Sequence, residues 1–242
     1  PGIFEYAILF REGMDIEAIK AQLADFMPAA QLYDIQEIDW LSANIASFKP
    51  LTIGKFYIYG SHIKDVPPSD KIGLQIDAAT AFGSGEHSTT RGCLTAFQKH
   101  VLEVGLTPSR VLDLGAGTAI LAMAAAKTLP HTEIIASDID DEAVKVSAAN
   151  AKNNHLKIIS ILSDGYAEIA GSFDLIFANI LQNPLINMAV ELNKHLNAGG
   201  IAILSGFLSE QTASVLEAHS SLGLHEIGRF TFEGWDTLVL QK

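Results

Sequence analysis

Cysteine is nearly absent from this chain: its 242 residues contain one, Cys93. A single thiol excludes an internal disulfide and any cysteine-built metal centre. With no basic-then-apolar leader before the first expected strand, a reducing, cytoplasmic setting is expected. No apolar run reaches the length of a membrane span before Asp, Gly or Lys interrupts it, so a water-soluble protein with no membrane partner is expected. Cations are scarce as well, with 16 Lys and Arg against 28 Asp and Glu and a formal net charge of -12. That balance repels a phosphate backbone, and no local basic patch offsets it. Direct nucleic-acid binding is therefore not expected, and a basic protein or a cationic small molecule is the more compatible partner. The 8 histidines have no metal-ligand spacing and no Ser-His-Asp order accompanies them, so neither a metal site nor a nucleophilic triad is assigned.

What the sequence does have is alternation of strand and helix. Residues 3–10 read as a strand, Asp15 as the cap of a helix with Ile16, Ile19, Leu23 and Phe26 on one face, and Gln31 to Ile38 as extended. With a further strand at Lys55 to Tyr59, residues 1–60 are expected to form a small α/β domain. Pro67-Pro68 marks 61–70 as a linker, and 71–242 is expected to be the main domain. There Lys71 to Asp77 reads as a strand, and the loop from Ala78 to Thr90 is rich in glycine and hydroxyls, one of which is expected to cap a helix running to about Val104. From Arg110 onward strands and helices alternate as in a parallel sheet covered on both faces. Strands are expected at Arg110–Leu114, Glu133–Ser137, Lys157–Leu162, Phe173–Ala178 and Ile201–Ser205. Helices are expected at Asn183–His195 and Ser209–Ser220, and a hairpin closes the chain around Glu233-Gly234.

The first of those strands ends in Asp113-Leu114-Gly115-Ala116-Gly117, and a helix follows. Glycines at such a turn let the backbone approach a nucleotide-type ligand, and the helix aims its first amides at the same place. Asp138, at the tip of the next strand, is positioned to accept hydrogen bonds from ribose hydroxyls, and Asp164, at the tip of the third, could receive the exocyclic amine of adenine. Asn179, at the end of the fourth, faces the switch point of the sheet. A dinucleotide fingerprint needs a small residue three places after Gly117, where Ile120 stands. The small residue comes one place earlier, at Ala119. The order acid-x-Gly-x-Gly-x-small, with the closing hairpin, is the pattern of S-adenosylmethionine-dependent methyltransferases. A seven-stranded, mostly parallel sheet with a C-terminal antiparallel hairpin is thus expected, beside a small N-terminal α/β domain.

Four stretches together resemble the PrmA family, the methyltransferases of ribosomal protein L-eleven. They are Ala81 to Thr90, Val111 to Lys127, Ala178-Asn179-Ile180-Leu181 with Pro184-Leu185, and Leu204-Ser205-Gly206-Phe207-Leu208 with Glu210-Gln211. Asp39-Trp40 and Phe48-Lys49-Pro50 extend the likeness upstream, so that it runs from about Asp39 to Lys242; before it the chain is short beside the family's N-terminal domain. Ala119 stands where the family usually has glycine. The resemblance implies a class I methyltransferase of the cytoplasm that transfers methyl groups from S-adenosyl-L-methionine, with S-adenosyl-L-homocysteine as product, to lysine side-chain and N-terminal amines of a basic ribosomal protein. It implies that Thr90, Gly115, Asp138 and Asn179 line the cofactor, joined by Gly117 and Asp164 from the strand-end reading. An amine must be neutral to attack, and an apolar pocket favours that form. The side-chain oxygen of Asn179 and the backbone carbonyl of Ile180 are expected to accept its hydrogens, with Thr90 beside them. A monomer is expected. The shortened front keeps two alternatives open: a methyltransferase for another amine-bearing protein or small molecule, and an inactive module that binds S-adenosylmethionine.

Overall fold

The computed structural model describes Glu17, Ala18 and Ala21, all helical, and residues 49–64, 66–76 and 88–242. The strand expected over 3–10, the extended segment at Gln31–Ile38 and the glycine-rich loop through His87 lie outside the described residues. The chain divides into two compact units, Pro1–Ile38 and Asp39–Lys242. In the second unit a three-stranded sheet comes first, with β1 (Leu51–Ile53) antiparallel to β2 (Phe56–Tyr59), and β2 parallel to β3 (Ile72–Gln75).

This pairing moves the expected boundary at residue 60. Residues 61–70 are the crossover between two parallel strands of one sheet, not a bridge between domains. The reason is burial: Phe56, Ile58 and Leu74 are wholly buried in one core with Leu94 and Phe97, and the Phe56 and Phe97 rings stack at 6.3 Å. A separate domain would have to expose those side chains to water, at a cost of about 2 kcal/mol each. The prolines still shape the crossover, where the Lys71 amide donates to the Pro68 carbonyl at 2.9 Å.

The main sheet has seven strands, β4 (Arg110–Leu114), β5 (Glu133–Asp138), β6 (Ile159–Leu162), β7 (Phe173–Asn179), β8 (Leu196–Leu208), β9 (His225–Phe232) and β10 (Trp235–Gln241). Their order across the sheet is β6-β5-β4-β7-β8-β10-β9. The first five of these are parallel, and β10 runs antiparallel to both β8 and β9, as the strand pattern and closing hairpin predict. Side chains alternate between two cores because successive strand residues face opposite ways. Val111, Leu175, Phe177, Ile203 and Val239 enter one, and Leu112, Ile176, Ala202, Leu204 and Leu238 the other.

The first core is covered by α1 (Ser88–Phe97) and α2 (Ile120–Thr128). Beyond Phe97 the helix widens into a π-type turn, Gln98–Leu102. Gln98 opens that turn. Its buried amide accepts from the Lys55 amide at 2.7 Å and donates to the Leu94 carbonyl at 3.0 Å, filling the space beside Gly54. The helix α3 (Asp141–Asn153) is capped by Asp140, whose carboxylate accepts from the Glu142 amide at 2.9 Å. Instead of one helix over Asn183–His195 there are two, α4 (Gln182–Asn187) and α5 (Ala189–His195), parted where Met188 takes φ -94 and ψ 6. Strand β8 is also longer than expected, because Gly199 and Gly200 exchange backbone hydrogen bonds with Lys242 and so extend the ladder. Helix α6 (Thr212–Ser220) packs on the second core. The last hairpin turns at Glu233 (φ 50) and Gly234 (φ 81), two consecutive left-handed residues of the kind that matches strand twist.

Candidate active site

The carboxyl ends of β4, β5 and β7 meet at one edge of the sheet, which in open parallel sheets is the ligand-binding edge. At the end of β4 the chain takes left-handed conformations at Gly115 (φ 68), Gly117 (φ 53) and Ala119 (φ 61). The turn is fastened to β5: the Ala116 amide donates to the Ser137 carbonyl and the Gly117 amide to Asp138 Oδ2, each at 2.9 Å. Asp138 Oδ1 accepts from the Asp140 amide at 3.1 Å. Asp138, at the tip of β5, therefore holds the glycine turn. A carboxylate has about four acceptor directions, so two occupied ones leave room for hydroxyls.

Below the turn, Asp113 is 1% exposed and its Oδ2 accepts from the Ala122 amide at 2.9 Å. It caps α2, which has no side-chain cap of its own at Ala119. Burial pushes the Asp113 pKa up to about 7; the Ala122 hydrogen bond opposes this and the charge of Asp138 adds to it.

Asn179 ends β7, and its side-chain oxygen is buried with no hydrogen-bond partner among the described residues. This side chain does not cap the next helix, because α4 begins after Leu181 and has no side-chain cap. Thr90, in the first turn of α1, is fully buried, and its hydroxyl likewise lacks a described partner. Helix α1 is held to this edge by Ser88, whose hydroxyl donates to Glu233 in the hairpin turn at 2.5 Å. Ile180 lies between these pieces. Its Cγ2 covers Gly115 so closely that a Cβ there would collide with it. Glycine at 115 is thus required both by the left-handed backbone and by this contact.

Asp164 stands exposed at the end of β6, next to Ser163, whose amide donates to the Asp138 carbonyl at 2.8 Å. Gly115, Gly117, Asp138, Asp164, Asn179, Ile180 and Thr90 are thus all carried to the C-terminal edge. Phe82 to His87, which the sequence also pointed to, lie outside the described residues. One residue escaped the sequence reading: the hydroxyl of Ser137 is fully buried and has no described partner. A serine after Ile134-Ile135-Ala136 in a strand buried on both faces was the available signal.

The edge combines a glycine cradle, an acid at the next strand and buried polar atoms without partners among the described residues. Leaving such groups unpaired costs about 1–3 kcal/mol each. Among the described residues no cluster of His, Cys, Asp and Glu could hold a metal, and no helix is long and apolar enough to cross a membrane.

Comparison with known proteins agrees with this geometry. The family model for ribosomal protein L11 methyltransferase (PrmA) matches residues 5–242. A ribosomal protein L11 methyltransferase of Bradyrhizobium diazoefficiens is 42% identical over 214 residues, 86% of this chain and 72% of that protein. One of Rhodopseudomonas palustris is 37% identical over 250 residues, 99% of this chain and 84% of that one. Among solved structures, the ribosomal protein L11 methylase of Lactobacillus delbrueckii subsp. bulgaricus superposes with a TM-score of 0.71 at 27% identity, covering 80% of this chain and 97% of its own. The fold alone is shared with the N-methyltransferase NodS of Bradyrhizobium japonicum in complex with S-adenosyl-L-homocysteine (TM-score 0.52, 15% identity, 65% and 89% covered). With the family model matched from residue 5 to residue 242, and relatives aligned over nearly the whole chain, the protein belongs to the PrmA family of ribosomal protein L11 methyltransferases.

Proposed function

We propose that this protein methylates lysine side-chain and N-terminal amines of ribosomal protein L11 in the cytoplasm, as a monomer, with S-adenosyl-L-methionine as donor. The observation that carries the reading is the side-chain oxygen of Asn179, buried without a partner among the described residues at the sheet edge that also carries the glycine turn. When bound, the cofactor supplies a methyl group already activated by positive charge on sulfur. The protein's part is to position and desolvate. Gly115 and Gly117 let the backbone approach the cofactor, Asp138 offers its free acceptor directions to the ribose hydroxyls, and Asp164 receives the adenine amine. Thr90 contributes a buried hydroxyl. Asn179 Oδ1 and the Ile180 carbonyl take the hydrogens of the neutral amine and aim its lone pair.

Charge supports a basic protein as substrate. Asp140, Asp141, Glu142, Asp164, Glu210 and Glu233 are all exposed and follow the strand ends at this edge or, in the case of Glu233, form its hairpin turn. Opposed charge of this kind speeds encounter. The test is incubation with labelled S-adenosylmethionine and ribosomal proteins from cells lacking the enzyme. One labelled band of the size of ribosomal protein L11 is expected. Label in RNA, or in another protein only, would overturn the substrate, and failure to bind the cofactor would overturn the reaction.

A further inference from the structure

Strands β8 and β10 fall out of register at one point. Phe207 pairs with Asp236 but Ser205 pairs with Thr237, so Gly206 is the extra residue of a β-bulge, a device that re-aims a strand beside a site. Its φ of +98 favours glycine. The space its missing Cβ would fill is taken by the Ile180 peptide: a Cβ would overlap the carbonyl oxygen, and would lie 2.6 Å from the carbonyl carbon and 2.9 Å from the nitrogen. These are backbone atoms and cannot rotate aside. The Ile180 amide donates to the Ser205 carbonyl at 3.0 Å, so the same bulge both supports and tethers that peptide.

The bulge is itself braced. Ser205 Oγ donates to the Asp236 carbonyl at 2.7 Å, and Thr237 Oγ1 donates to Ser205 Oγ at 2.9 Å. Asp236 is 3% exposed, and its carboxylate accepts from Ser209, Thr231 and Thr212, each at 2.7 Å. A buried polar network with all its members paired is rigid. No hydrogen bond among the described residues joins this network to Gly115, Gly117 or Asp138.

We infer that the Gly206 bulge, braced by Ser205 and Asp236, is a positioning device that seats the Ile180 peptide and so sets where its carbonyl meets the substrate amine. The inference rests on the proposed role of that carbonyl. Gly206 touches no reacting atom; it acts through Ile180.

The test compares Gly206→Ala, Ser205→Ala and Asn179→Ala with ribosomal protein L11 as substrate. Gly206→Ala is expected to lower kcat roughly 100-fold, as a displacement of about 1 Å does at a reacting centre. Its calorimetric affinity for S-adenosylmethionine should stay within about threefold, because uniform binding is untouched. Hydrogen exchange at the Ile180 amide should quicken, which reports the displacement without reference to activity. Ser205→Ala adds no atoms and should fold even where Gly206→Ala does not; a roughly tenfold loss of kcat with the same exchange signature is expected of it. A wild-type kcat in a folded Gly206→Ala, or in Ser205→Ala with a faster Ile180 amide, would overturn the inference. So would cofactor affinity falling as far as kcat, the mark of a merely structural role. Asn179→Ala separates the two levels. Should it also turn over normally, the reading of the site fails; should it alone be impaired, only the bulge inference fails.

Discussion

The two ends of the main sheet are built from the same strands and treated in opposite ways. At the end where β4 and β7 begin, Arg110 and Asp174 are densely paired. Arg110 donates to Glu133 and to the carbonyls of Ala170 and Ser172, and its guanidinium lies 4.6 Å from the Phe173 ring centroid. Asp174 accepts from the Ser109 and Arg110 amides and from Asn197; burial raises its pKa, but these partners outweigh that and hold it below the usual carboxylate range. At the end where the same strands finish, Thr90, Ser137 and Asn179 keep buried polar atoms without described partners. In the proposed reading, the pairs at Arg110 and Asp174 serve folding and the three open groups serve a ligand. Stability and function therefore occupy opposite edges, and substitutions should separate them.

The largest separation is expected from Asn179→Ala. Loss of an acceptor aimed at the reacting amine should lower kcat by roughly 100-fold, while cofactor affinity falls far less and the melting temperature stays near wild type, as calorimetry and thermal denaturation would record. Asp174→Ala is the opposite case. Removing a carboxylate that serves two amides and a side chain should cost about 2–3 kcal/mol of folding free energy, measured by urea unfolding, with kcat intact. If it impaired turnover as much as Asn179→Ala does, the division of labour would fail.

Acid provides a third probe. Burial lowers the His219 pKa to about 4, with a smaller opposing pull from the Leu185 backbone. The unfolded chain binds this proton from about pH 6.5 and the folded protein only near 4, so stability falls as pH drops through that window, by up to about 3 kcal/mol. His219→Leu should remove that part of the acid sensitivity without affecting the pH profile of turnover. That profile has its own origin. An α-amine titrates near 7.7–8.0 and a lysine near 10.4, so the ratio of lysine to N-terminal methylation should rise between about pH 8 and 10. A constant ratio would mean that the site sets the protonation of both amines alike.

Smaller effects remain at the glycine turn and at Thr90. Thr90→Val keeps the shape and removes a hydroxyl without a partner among the described residues, so cofactor affinity should weaken roughly tenfold while stability gains about 1 kcal/mol. Ala119 holds a left-handed conformation that costs an alanine about 1 kcal/mol. Ala119→Gly should raise stability by that amount or somewhat less, since glycine also loses more freedom on folding.

Periodicity and turn chemistry made most of this legible in advance. The run Val111-Leu112 with its alternating faces, the acid at Asp138 and the paired turn residues Glu233-Gly234 are local signals, and each element formed where its residues directed. The glycine turn was readable because Gly115 and Gly117 act through their own backbones. What was not readable depends on residues far apart in sequence. The boundary at residue 60 failed because Phe56 is buried by Phe97, and no local pattern reports that contact. Ser205-Gly206 inside a strand was visible as a motif, but its meaning lies in Ile180, which only the sheet brings near. Asn179 was legible as a candidate; that its oxygen is left without a described partner required coordinates.

The hairpin that closes the sheet also sets an order of events. Strand β10 is C-terminal to every other strand described, yet it is inserted between β8 and β9, and the turn before it carries the Glu233 that holds Ser88. During synthesis the edge of β8 stays unpaired, and Ser88 lacks its Glu233 acceptor, until the hairpin and β10 have left the ribosome.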